Sequence, residues 1–245
     1  MIVSLRRFTS SEISSGADRR FLTGSNFIFI DFSNTIYVHS HEYNEEIMKS
    51  KSKITFLIAL IALFAAIICA GCFMKIPLGI VPIVLQNALC ILTAILLGGI
   101  FGGAPTALFL IAGLVGLPVY AGGTSGIAVW MGPTGGFYPG YLLGAIVAGF
   151  IAGKPSISEK KLSAKVALRV SLGMVAGMIV LYIPGVWRFA VWALNAGKVP
   201  AEKTTLAYTM GACVIPYLPG DLLKTIVAIP VALKIRPVLA QYLYE

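Results

Sequence analysis

The chain has 245 residues, 58% of them hydrophobic and only 12% charged, with a mean hydropathy of +0.88. That balance excludes an ordinary soluble domain and a disordered chain, and it places the protein among those that fold in lipid. The net charge of +9 does not point to nucleic acid, because the basic residues cluster at the ends of apolar spans, and the four cysteines give no disulfide framework.

Residues 1–47 differ from everything after them, mixing Arg6, Arg7, Arg19 and Arg20 with Glu12, Asp18, Asp31, Glu42, Glu45 and Glu46. Met48, followed by Lys49, Lys51, Lys53 and an apolar run, reads as a natural start of translation. The stretch 1–47 is therefore expected to be a mis-assigned extension or a disordered tail, and 48–245 the membrane domain. The first span is expected over Ile54–Phe73, where Ala62, Ala66 and Ala70 recur every four residues. Small residues at that spacing let another helix approach closely, whether inside the bundle or from a partner.

Two prolines and a glycine make Lys75–Pro82 a turn. A second span, Val81–Leu97, carries Gln86 and Asn87 in its first turns. Their amides either cross-link helices or face a ligand. After the turn Gly98–Pro105, a short third span covers Thr106–Leu117. Residues 116–136 are apolar yet full of helix breakers. At membrane depth such backbone survives only when buried in protein or lining a cavity. Its glycines permit positive φ and close backbone approach, and Tyr120, Trp130, Phe137 and Tyr138 offer ring faces. Span four is Phe137–Ala152, with Gly136, Gly140 and Gly144 at intervals of four. A basic loop over Lys154–Arg169 leads to span five, Val166–Val186, and then to an interfacial helix at Trp187–Ala193. The last span is Leu218–Lys234.

No Asp, Glu, Lys, Arg or His occurs between Ile76 and Gly153, an interval long enough for three spans of about 20 residues each. Six spans put both termini on one side with ten basic residues, against four (Lys75, Arg188, Lys198, Lys203) on the other. That asymmetry fits cytoplasmic termini. Only three acids lie between Ile54 and Leu233, and Glu159 and Glu202 sit in polar stretches. Asp221 sits among apolar residues. A carboxylate there faces a partner, a cavity or a ligand. Lys224, three residues on, shares its face of a helix. Asp221 can also serve simply as the N-cap of span six, paired with Lys224. With no histidine and no paired carboxylates in the membrane part, an intramembrane enzyme lacks its chemistry. Cys69-x-x-Cys72 has no second pair to complete a metal site. No Gly-x-x-x-x-Gly-Lys-Ser/Thr occurs, so the chain does not itself hydrolyse ATP.

From about Lys53 to Arg236 the sequence resembles the BioY family, the biotin-specific substrate-binding subunits of energy-coupling-factor (ECF) vitamin transporters. The matching pieces stand in order: Val81-Pro-Ile-Val-Leu-Gln86, Leu117-Pro-Val-Tyr-Ala-Gly-Gly123, Gly132-Pro-Thr-Gly-Gly-Phe137, Leu181-Tyr-Ile-Pro-Gly-Val-Trp187 and Ile215-Pro-Tyr-Leu-Pro-Gly-Asp-Leu-Leu-Lys224. The combination of Gly-Pro-Thr-Gly-Gly with Pro-Gly-Asp-Leu-Leu-Lys is what makes the match specific. The resemblance implies an all-α integral membrane protein of six transmembrane helices, with a Gly-rich loop between helices 3 and 4, in the bacterial plasma membrane. It implies capture of biotin from outside, with biotin as ligand rather than cofactor. The implied partners are a transmembrane coupling subunit docked on Ala62, Ala66 and Ala70, two ABC-type ATPases and lipid, with no nucleic acid. Substrate contacts are expected at Asp221, Lys224, Gln86, Tyr120, Gly122, Gly123, Thr134, Gly135 and Tyr138, with no catalytic or metal site. The family's arginine in the turn after span two is replaced here by Gly98-Gly-Ile-Phe-Gly102. Other readings of the same residues are a stand-alone biotin carrier, proton-coupled or facilitative, and the same architecture serving a different vitamin.

Overall fold

The computed structural model describes residues 35–76, 80–81, 83–160 and 163–243. The chain divides into two compact units, Met1–Lys49 and Ser50–Glu245. The helices among the described residues are α1 (Thr35–Ala70), α2 (Gln86–Leu97), α3 (Ala104–Leu114), α4 (Ile127–Met131), α5 (Phe137–Ala152), α6 (Ala164–Asn195), α7 (Thr205–Cys213) and α8 (Leu218–Leu243). A two-stranded antiparallel hairpin, β1 (Lys75–Ile76) with β2 (Ile83–Val84), interrupts them. The turn expected there falls largely on residues 77–79 and 82, outside the described residues. Of the stretch 1–47, residues 1–34 also lie outside them, and 35–47 fall within α1.

Past Gln86 and Asn87 in its first turn, the helix α2 is almost wholly apolar and is buried on almost every side, including Ile91, Ala94, Ile95 and Leu97, as expected of a helix enclosed by others. It begins at Gln86 rather than Val81, because Ile83–Val84 is drawn into the hairpin. The third span is shorter than expected: α3 ends at Leu114 and is led in by a 3-10 turn over Gly99–Gly103. Helices α5 and α6 pack antiparallel with their backbones nearly in contact. A methyl group placed on Gly140 would lie 2.4 Å from the Leu181 carbonyl oxygen, and one on Gly144 would lie 2.5 Å from that of Gly177. The glycine stripe visible in the sequence is thus an internal helix–helix seam of the small-residue kind.

α6 does not stop near Pro184. It runs on to Asn195 and absorbs the segment expected as a separate interfacial helix. Proline removes one backbone hydrogen bond. The unbroken stripe Leu181, Gly185, Phe189 and Ala193, all buried, offsets that loss by continuing the apolar face. α8 likewise continues through Pro230 and Pro237 to Leu243. Among the described residues, two helical segments are long and apolar enough to cross a membrane, Lys51–Phe73 and Ala164–Asn195; Gln86–Leu97, Gly99–Leu114 and Phe137–Ala152 are apolar but shorter.

Arg236, read from the sequence as a flanking charge, is fully buried. Its Nε and Nη2 donate to the two carboxylate oxygens of Glu159 at 2.9 and 3.0 Å. Nη1 donates to the Ile95 carbonyl at 2.5 Å, and Nη2 also donates to the carbonyls of Ala152 and Gly153 at 3.1 and 3.2 Å. One guanidinium therefore satisfies carbonyls near the C-terminal ends of α2 and α5, groups that a helix leaves without internal partners.

Two outcomes follow for thermal unfolding in detergent. Arg236→Met strands Glu159 and these carbonyls, and is expected to lower stability by about 3–5 kcal/mol, the cost of breaking a buried pair. Gly144→Leu drives a side chain into the α6 backbone and is expected to destabilise by at least about 1–3 kcal/mol. An unchanged midpoint in either variant contradicts the corresponding contact.

Candidate functional site

The i, i+3 spacing in the first turns of α8 puts Asp221 and Lys224 side by side, with Lys224 Nζ 2.6 Å from Asp221 Oδ1. Asp221 is only 7% exposed. Its carboxylate is held from three elements. Asn87 Nδ2 of α2 donates to Oδ1 at 2.9 Å, Tyr182 of α6 donates its hydroxyl to Oδ2 at 2.5 Å, and Lys224 completes the set. None of these is a backbone N–H of α8, so the pairing of Asp221 with Lys224 is present and the capping part of that reading is not.

Lys224 is engaged on every side. Besides Asp221, Nζ donates to the Val84 carbonyl of β2 at 2.7 Å and to Asn87 Oδ1 at 3.0 Å. The orientation of the Asn87 amide is fixed, since Oδ1 also accepts from the Ala88 N–H at 2.9 Å. An ammonium has three hydrogens, and all three have protein acceptors. A carboxylate has about four acceptor positions. Oδ1 receives two donors and Oδ2 receives one, so a fourth donor fits at Oδ2.

These groups line one side of a cavity of about 230 Å³. Its walls come from the hairpin (Ile83, Val84), the Gly-rich segment (Ala121, Thr124, Val129, Pro133, Thr134), the start of α5 (Phe137, Tyr138, Tyr141), α6 (Leu181, Tyr182) and the turn into α8 (Cys213, Tyr217). Apolar and aromatic walls with a few convergent polar groups are the usual make-up of a small-molecule site. Tyr217 donates its hydroxyl to the Val81 carbonyl, tying the last turn before α8 to the hairpin.

Of the residues expected to touch substrate, Asp221, Lys224, Thr134 and Tyr138 line this cavity, whereas Gln86, Tyr120, Gly122, Gly123 and Gly135 do not. Those five build its frame. Gln86 points to a different side of α2 from Asn87, and its Nε2 bridges the carbonyls of Ile68 and Val119 at 3.1 and 2.8 Å. Tyr120 is fully buried; its hydroxyl donates to the Leu110 carbonyl at 2.7 Å and accepts from Trp130 Nε1 at 3.0 Å. Its ring lies 4.4 Å from that of Tyr138, which in turn stacks on Trp130 at 5.5 Å. Gly122 and Gly123 both have φ of +75°, which closes the tight turn between Tyr120 and Thr124. A methyl on Gly135 would lie 1.7 Å from the Trp130 carbonyl oxygen. Of the polar side chains that line the cavity, Asn87, Thr124, Tyr141, Tyr182, Cys213 and Tyr217 are not among the expected substrate contacts. Asn87 and Tyr182 do carry a sequence signal, being polar groups in apolar runs.

The family model described as "BioY family" matches residues 44–241. Among curated relatives, the biotin transporter BioY of Rhodobacter capsulatus is 38% identical over 174 residues, covering 69% of this chain and 87% of that protein. The biotin transporter BioY of Thermotoga maritima is 35% identical, covering 71% and 92%. A crystal structure of the S-component for biotin from an ECF-type ABC transporter superposes with a TM-score of 0.58 at 26% identity, covering 74% of this chain and 91% of that one. The residue pattern around Asp221 and the extent of these matches lead to one conclusion: the chain belongs to the BioY family.

Proposed function

We propose that the protein is a biotin-binding S-component that captures the vitamin from outside the cell and delivers it inward with an ECF-type energising module. The observation that carries this is a buried carboxylate, Asp221, paired with Lys224 and oriented by Asn87 and Tyr182 beside an aromatic cavity, with acceptor capacity left at Oδ2. Biotin offers ureido N–H donors on a compact bicyclic ring. Such a donor reaching Oδ2 makes a charge-assisted hydrogen bond in a dry site, which is the strong kind. The rings of Phe137, Tyr138 and Tyr141 receive the apolar faces of the bicycle. Lys224, with its hydrogens committed, acts on the ligand through Asp221 and Asn87.

The remaining expectations fit this reading. Six spans with cytoplasmic termini would place the cavity, at the start of α8 and beside the Gly-rich segment, toward the outer face of a bacterial plasma membrane. Ala62, Ala66 and Ala70 are exposed on one face of α1. A transmembrane coupling subunit, itself linked to two ABC-type ATPases, would pack there at close range.

Calorimetric titration of the detergent-solubilised protein with biotin, and with thiamine and riboflavin as controls, tests the reading. Stoichiometric binding of biotin alone is expected, and binding of another vitamin instead overturns the specificity. Asp221→Asn is expected to weaken biotin binding by about 10- to 100-fold, the equivalent of a hydrogen bond to a charged group at about 1.5–3 kcal/mol; unchanged affinity contradicts the assignment. Ala66→Trp is expected to leave biotin affinity intact while abolishing co-purification with the coupling subunit and ATP-dependent uptake. Full uptake in cells lacking the ATPases would favour a stand-alone carrier.

A further inference from the structure

Biotin carries an anionic tail as well as its ring, and the cavity sets where that tail goes. The floor already holds the Asp221 carboxylate, and a second carboxylate brought beside it meets like-charge repulsion. Lys224, the cation lining the cavity among the described residues, has no hydrogen left to donate, because its three serve Val84, Asn87 and Asp221. Arg236 is committed to Glu159, and Arg188 donates to the Met131 carbonyl at the end of α4.

Lys75 is placed differently. It sits on β1 directly across from Val84, the residue whose carbonyl holds Lys224. Its side chain lies over Gly122, so closely that a methyl there would fall 2.1 Å from Nζ. Gly122 stands between Ala121 and Thr124, both of which line the cavity. Lys75 is exposed, and among the described residues no hydrogen bond or ion pair engages its ammonium.

We infer that Lys75 is a specificity-determining residue that receives the ligand's carboxylate at the rim of the cavity, so that the ring enters first and the charged tail stays toward the opening. The inference rests on the biotin reading above and adds the orientation of the ligand and the reason for preferring a free acid. Gly122 has a second use in this arrangement, since any side chain there would displace the ammonium from the rim.

The test is titration of the full-length protein with biotin and with biotinamide, which keeps the ring and chain but has no charge on the tail. Wild type is expected to bind biotin about five- to tenfold more tightly than biotinamide, the scale of one charge-assisted contact in a partly solvated site. Lys75→Met is expected to lower biotin affinity by that factor, to leave biotinamide affinity unchanged and so to erase the preference. Lys75→Arg is expected to restore it, and raising the salt concentration should shrink it in wild type and in Lys75→Arg. Equal binding of the two ligands by wild type, or a preference that survives in Lys75→Met, overturns the inference while leaving the biotin reading intact. A parallel loss for both ligands in Lys75→Met assigns the residue to hairpin structure and also overturns it. Failure of wild type to bind biotin at all removes the underlying reading and this inference with it.

Discussion

A carboxylate inside an apolar bundle is the constraint around which this protein is arranged. Isolated, an ionised Asp221 would face a desolvation cost of several kcal/mol. It is tolerable only because separate elements bring partners to it: α2 supplies Asn87, α6 supplies Tyr182, and α8 supplies Lys224, itself steadied by the β2 carbonyl. The order of elements along the chain has little to do with this convergence, since Asn87 and Asp221 are 134 residues apart. The packing that brings them together is what the apolar surfaces must achieve. The same packing leaves a cavity rather than a filled core on one side of the carboxylate.

Close helix approach is the second requirement, and it is met by glycine. The seam between α5 and α6 places Gly140 and Gly144 against the carbonyls of Leu181 and Gly177. This brings Tyr182, one residue beyond Leu181, within reach of Asp221. The Gly-rich segment solves a different problem. Its tight turn at Gly122–Gly123 lets Tyr120 plunge into the core, where its hydroxyl anchors Trp130 and its ring supports Tyr138. The aromatic wall is thus fixed from behind by residues that do not themselves reach the cavity.

Much of this was legible in the sequence, and the gaps have physical reasons. The Asp221–Lys224 pair follows from i, i+3 spacing, and the α5 glycine stripe follows from its period of four. The choice between Gln86 and Asn87 does not, because adjacent residues on a helix point about 100° apart and the sequence does not give the phase of that helix against its neighbours. Gln86 turned toward α1 and Asn87 toward α8. The hairpin has two residues per strand, too few for any alternation to show. The end of α6 was misplaced because Pro184 is a local stop signal, whereas the buried stripe that overrides it, through Phe189 and Ala193, is a tertiary effect. Arg236 sits where positive-inside reasoning expects a loop charge, and only the structure shows its guanidinium turned inward onto Glu159.

The two buried ionic clusters lie along the same pair of helices. Asn87 and Ile95, near the two ends of α2, meet Asp221 and Arg236, fifteen residues or about 22 Å apart along α8. The helices therefore run in the same direction and are riveted at both ends. Sliding or twisting one against the other would take the Asn87 donor from Asp221 at one end and the Ile95 acceptor from Arg236 at the other, so the pair resists relative movement. The hairpin is tied into the same pair through the Val84 carbonyl on Lys224, so a shift of β2 would be felt at the Asp221 carboxylate.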